Sequence, residues 1–148
     1  MTTNAPINLS TSAGHAADYL GRANSIPHRT EGESAFLEFI PVNTRRILDL
    51  GTGDGRLLAL VKSDLSRPES APDIDPEVAA MAVDFSPAML EAVRKRFAAD
   101  SFVTIVADNL DHPLPALGKF DAIVSSLAIH HLLHERKRAS FMPRFTAC

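Results

Sequence analysis

A glycine-rich turn and three aspartates at strand ends are the residues of this chain best suited to chemistry. The apolar run Ile47-Leu48-Asp49-Leu50 feeds directly into Gly51-Thr52-Gly53-Asp54-Gly55-Arg56, and a helical pattern follows at Leu57, Leu58, Leu60 and Val61. Strand, glycine turn and helix together present backbone N–H groups and a helix N-terminus to a ligand at the carboxyl end of a strand. Glycines serve there because a Cβ would hinder positive φ and close approach of the backbone. Asp84 and Asp108 close two further strand-like runs, and carboxylates in such places accept hydrogen bonds from hydroxyls or meet a cation. A strand-end aspartate is also an ordinary helix N-cap, so each one alone is ambiguous. Three of them beside one glycine turn favour a ligand site.

These residues need an open sheet to hold them. Strands are expected over Arg46–Leu50, Val78–Asp84, Phe102–Ala107 and Phe120–Ser126, with helical patterns between them. A first helix is expected over about 14–24, packing through Ala16, Ala17, Tyr19 and Leu20. Thr30-Glu31-Gly32-Glu33 fits a capping box opening a second helix that Pro41 stops. A helix over Asp54–Leu65 follows the glycine turn, and a Pro-, Ser- and Asp-rich loop covers Ser66 to Glu77. Ser86-Pro87 places serine at an N-cap and proline at the first helical position, ahead of an apolar stripe at Met89, Leu90, Val93 and Phe97. A last helix is expected from about His131 to Met142. Strands alternating with helices predict an α/β fold with a doubly wound parallel sheet.

Composition excludes several alternatives. The 148 residues suffice for one domain, with 45% hydrophobic and 22% charged residues. A net charge of −3 gives no electrostatic case for nucleic acid or an anionic membrane. The lone cysteine, Cys148, rules out an internal disulfide framework or a cysteine metal cluster. Residues 1–13 read as a flexible tail without a signal-peptide pattern, ahead of a single domain over 14–148. No run is long enough to span a membrane, and a cytoplasmic location is expected.

The strand ends taken together resemble the class I S-adenosylmethionine-dependent methyltransferases. The motifs are Asp49-Leu50-Gly51, Asp84-Phe85-Ser86-Pro87, Ala107-Asp108-Asn109-Leu110, and Phe120–Leu127 followed by Ala128-Ile129-His130-His131-Leu132. The resemblance covers about residues 15–140, and the Ile26–Glu33 lead-in looks like that of small bacterial members. A dinucleotide enzyme would carry G-x-G-x-x-G and an acid about twenty residues further on. Here the glycines are spaced Gly51-x-Gly53-x-Gly55, and Asp84 lies further away than that.

The resemblance implies S-adenosyl-L-methionine as cofactor and a small-molecule methyl acceptor. It gives Asp84 the ribose hydroxyls, and Asp108 with the Asn109 N–H the adenine edge, between apolar walls from Phe85, Met89 and Leu110. Gly51, Thr52 and Gly53 would pass under the methionine part with Asp49 near its ammonium, and Ser126 would join from strand four. Tyr19 and Arg29 would close over the cofactor, Arg29 against its carboxylate, although ordinary surface roles fit both equally well. His130 and His134 stand one helical turn apart without a third ligand at that spacing, so no metal is expected. Proteins of this kind have a His-His pair bordering the substrate, which here is His130-His131, though packing under the loop suits His131 as well. Methyl transfer from an activated sulfonium rests on alignment and shielding, and no catalytic residue is assigned.

The family's sheet has seven strands, whereas the pattern here is lost after Ala139. A chain truncated after strand four is therefore expected, which would leave strand four as an edge open to self-association. Two functions follow: a methyltransferase, or a catalytically inactive cofactor-binding remnant that pairs through strand four. A nucleotide-dependent oxidoreductase is disfavoured by the glycine spacing and Asp108.

Overall fold

The computed structural model describes residues 13–65, 78–129 and 132. The expected loop over Ser66–Glu77, the last helix, and His130, His131 and His134 lie outside the described residues, as does the tail up to residue 12.

The α/β architecture is the one the sequence predicts. Four parallel strands, β1 (Arg46–Leu50), β2 (Ala79–Asp84), β3 (Val103–Ala107) and β4 (Ala122–Val124), stand in the order β3-β2-β1-β4. Helices α1 (Ala13–Arg22) and α2 (Arg29–Leu37) precede the sheet, joined by a 3-10 turn at Ala23–Ser25; α3 (Arg56–Leu65) and α4 (Pro87–Arg96) connect its strands. From β1 the chain winds outward through β2 and β3, then crosses back to place β4 on the other side of β1. That reversal makes the carboxyl end of β1 the switch point, where open α/β sheets bind ligands.

Side chains alternate along a strand and divide the core between the two faces. Ile47, Ala80, Ala82 and Val124 pack with Leu57, Leu58, Val61 and Leu65 of α3 and Val93 of α4. Leu48, Leu50 and Val83 pack with Leu110 and Leu132 on the opposite face. The same alternation puts Asp49 on the face of Ile47, and Asp84 on the face of Ala80 and Ala82. Leu50 aligns with Val83, and Asp84 with Ala107, so the strand ends form one ledge.

Strand four is shorter than expected, pairing with β1 only over Ala122–Val124. Its flanks leave the ladder for specific reasons. The Asp121 carboxylate accepts the N–H groups of Arg45 and Arg46 at 2.9 and 2.8 Å, while the Phe120 ring lies under the Arg46 guanidinium. Beyond Val124, Ser125 Oγ donates to Leu50 O at 2.7 Å, and Leu127 turns into the left-handed region at φ 58°.

The capping box is also replaced. Helix α2 begins at Arg29, one residue before Thr30, and its N-cap, His28, makes no side-chain cap bond. The Glu33 carboxylate bonds to Arg29 and Arg56 instead. Ser86 does occupy the N-cap of α4 with proline following, but it makes no side-chain cap bond either.

Candidate functional site

The glycine turn is built by positive φ angles that its glycines permit: 69° at Gly51, 58° at Gly53 and 75° at Gly55. The first and second differ in what surrounds them. A Cβ on Gly51 would lie 2.1 Å from the Ala128 Cβ, across the switch point, whereas a Cβ on Gly53 would meet nothing within 4 Å. Protein packing therefore demands glycine at Gly51. At Gly53 only the backbone angle and whatever approaches from outside demand it.

The amides of this turn are spent within the protein. Gly51 N and Thr52 N both donate to Val83 O, at 2.8 and 3.0 Å, and Gly53 N donates to Asp84 Oδ2 at 2.9 Å. Gly55 N donates to Thr52 O at 3.1 Å. The expectation of a turn that presents these N–H groups to a ligand is thus corrected. They anchor the turn to β2, and the polar groups left at the ledge are mainly carboxylates.

Asp49 is buried, with Oδ2 accepting from Thr52 Oγ1 at 2.8 Å, while Oδ1 has no protein partner. Burial pushes its carboxyl up to about 7, against the Thr52 hydrogen bond, and the nearby Asp84 charge adds to the rise. Asp84 is raised as well, again by burial first, although the N–H groups of Ser86, Gly53 and Phe85 counter it. Its Oδ1 accepts Ser86 N at 2.9 Å, so this side chain does the capping that the serine does not. An unpartnered buried oxygen beside a second carboxylate suits a cation, because a positive group there satisfies the orphan and relieves the like-charge pair.

The other expected residues fall on the same ledge or its approaches. Phe85 and Met89 are half-buried around the start of α4, and Leu110 is buried against Leu48, Leu50 and Val83. Asp108 Oδ1 accepts Asn109 N at 2.8 Å, so these two groups are paired with each other. Ser126 is half-buried, and it is the neighbouring Ser125 that ties strand four to Leu50. Tyr19 is half-buried on α1, a helix that packs on α4. Arg29 is engaged inside the chain: Nε donates to Glu33 Oε1 and Nη1 to Ala23 O, both at 2.8 Å.

The ledge can be compared with known proteins. A family model described as a methyltransferase domain matches residues 48–148, from the second strand of the ladder's centre pair onward through all the ledge residues but the lead-in. The chain belongs to the class I S-adenosylmethionine-dependent methyltransferases. The uncharacterized methyltransferase Rv0089 of Mycobacterium tuberculosis is 34% identical over 101 residues, which are 68% of this chain and 45% of that relative. The uncharacterized methyltransferase Mb0092 of Mycobacterium bovis matches to the same extent. This methyltransferase chain therefore spans about half the length of the curated relatives it matches.

Solved structures agree on the fold. A TehB-like SAM-dependent methyltransferase from Corynebacterium glutamicum superposes with TM-score 0.61 and 19% identity, over 86% of this chain and 62% of that one. The SAM-bound amino pentose methyltransferase CalS10 from Micromonospora echinaspora gives 0.59 and 22%, over 87% and 49%. Among the described residues of this methyltransferase, no helix is long and apolar enough to cross a membrane and no acid–histidine–cysteine group could hold a metal.

The Glu33–Arg29–Arg56 cluster escaped the sequence reading. Its signal was present as Arg29 and Glu33 four residues apart, a spacing that pairs opposite charges on one helix face.

Proposed function

We propose that this chain binds S-adenosylmethionine at the carboxyl ends of β1, β2 and β3, as the donor half of an enzyme methylating a small molecule. One observation carries the reading: the turn's amides are consumed by Val83 and Asp84, and two carboxylates stand beside it. A pyrophosphate needs unspent N–H donors and repels carboxylates. A ligand with a cationic amino-acid end and a ribose diol needs the reverse.

The residues present fit that cofactor. Asp49 Oδ1, the orphan, would take the ammonium, and the remaining lone pairs of Asp84 would accept the ribose hydroxyls. Gly53, open where a Cβ would stand, would let the methionine part lie against the turn. Asp108 and Asn109 would meet the adenine, between Phe85, Met89 and Leu110. Bound there, S-adenosylmethionine supplies a methyl group already activated on its sulfonium. The chain's own contribution is to bind, orient and exclude water, with no group assigned to move a proton. A cytoplasmic place goes with this reading.

Calorimetric titration with S-adenosylhomocysteine and, separately, NAD tests it. Binding of S-adenosylhomocysteine alone is expected; binding of NAD alone would overturn the proposal.

A second reading, an inactive cofactor-binding module that self-associates through β4, rests on one observation. That strand is an edge of the described sheet, and Ile123 and Leu127 there are 39% and 46% exposed. Sedimentation velocity separates the readings, since a stable dilute monomer would count against this one.

A further inference from the structure

We propose that Glu33 is a positioning residue for the methyl-donor site, locking the lead-in helices to the exit of the glycine turn. The inference rests on the cofactor reading above and assigns Arg29 a role inside the chain.

One carboxylate joins three segments. Glu33 Oε1 accepts Arg29 Nε at 2.8 Å within α2, and the guanidinium of Arg56, the first residue of α3, grips both oxygens through Nε at 2.8 Å and Nη2 at 2.9 Å. Arg29 reaches on through Nη1 to Ala23 O, where the 3-10 turn leaves α1. Carbonyls at helix ends lack intrahelical partners, so this bond completes the junction between α1 and α2. Ion pairs on a solvated surface contribute little, but the side chains of Glu33 and Arg29 are each only 11% exposed and the Arg56 contact is forked. Burial pushes the Glu33 carboxyl up, yet the two guanidiniums outweigh it and hold it below the usual range.

The grip has a counterpart on the other side of the turn. Arg96, at the end of α4, donates through Nε to Asp54 O at 2.7 Å and through Nη2 to Asp54 Oδ2 at 2.5 Å. Between them Gly55 is pressed so close to Phe97 that a Cβ would lie 2.9 Å from its ring. Residues 54 and 56 are thus held by different helices, α4 and α2, with one glycine between. Helix α1 packs on α4 as well, so the lead-in and the turn form one frame around the ledge. Placement of this kind matters for affinity because a preorganised site spends no binding energy on ordering itself.

The test compares E33Q with E33D and D100N in the full chain. Asp100 pairs with Lys62 on α3, away from the ledge, and D100N reports simple loosening of that helix. Calorimetry is expected to show E33Q weakening S-adenosylhomocysteine by at least about tenfold, E33D recovering part of the loss, and D100N binding like wild type. Unchanged binding by E33Q, or an equal loss in D100N, overturns the inference. Amide hydrogen exchange without ligand separates this from the cofactor reading: E33Q should speed exchange in residues 13–37 and 51–56 while β1 and β2 stay protected. Absence of that change overturns the role of Glu33. Absence of S-adenosylhomocysteine binding by wild type overturns the cofactor reading instead.

Discussion

Asp49 and Asp84 reach the same turn from neighbouring strands, one through a side chain and the other through the backbone. Thr52 Oγ1 donates to Asp49 Oδ2 at 2.8 Å, and the next residue, Gly53, donates its N–H to Asp84 Oδ2 at 2.9 Å. Two carboxyl groups on one sheet face are thereby fixed around two consecutive residues, and each raises questions of charge that experiments can answer.

Stability should fall as pH rises from about 4 to about 7. The Asp49 carboxyl sits at about 7 in the folded chain, against about 3.9 when unfolded. Between those values the folded state holds a proton the unfolded state has lost, so raising the pH favours unfolding. Asp84, also raised, acts with the same sign. Urea midpoints measured at intervals from pH 5 to 8 should decline in wild type, and D49N should flatten much of the slope.

Cofactor affinity should run the opposite way. An ammonium beside Asp49 favours the ionised carboxylate, so S-adenosylhomocysteine should bind more tightly as pH rises through about 7. One released proton sets a limit of about tenfold per pH unit. The D49N variant should bind weakly and lose the dependence, which calorimetry at three pH values would show.

The two glycines should fail differently. G51A adds a Cβ 2.1 Å from Ala128 at φ 69° and should cost about 2–5 kcal/mol of stability. G53A meets no protein atom within 4 Å and should cost only about 1–2 kcal/mol, from its φ of 58°. Yet G53A should weaken S-adenosylhomocysteine at least about tenfold. Denaturation and titration of the same two variants give the comparison, and normal binding by G53A would remove the ligand argument for that residue.

Ser125 should matter to β4 more than its neighbour. Its Oγ donates to Leu50 O at 2.7 Å just where the ladder ends, so S125A should destabilise by about 1 kcal/mol. Ser126 makes no comparable tie to β1, and S126A should stay within about 0.5 kcal/mol of wild type.

What was legible in the sequence followed backbone periodicity and local chemistry. The β1 and β3 runs, the glycine turn and the start of α4 at Ser86-Pro87 all read correctly, because alternation and turn residues act over a few positions. Strand four was overextended because Phe120, Asp121 and Ser125 look like strand residues. Their side chains instead serve β1, fifty or more positions away in every case but fixed only in three dimensions. The capping box failed for the same reason: Glu33 had a better partner in Arg56, which no local pattern reveals. The spent amides of the turn were likewise invisible, since they depend on where Val83 and Asp84 come to lie.

The strand order β3-β2-β1 has a consequence for how such a protein changes over generations. Every ledge residue from Asp49 to Leu110 sits in one uninterrupted stretch of chain, and β4 meets that stretch along a short seam at β1, Leu50 and Gly51. A lineage can therefore rewrite whatever follows the seam, and with it the molecule being modified, while inheriting the donor-holding stretch intact. Selection on the two halves is close to separable, and the few residues of the seam are where they constrain each other.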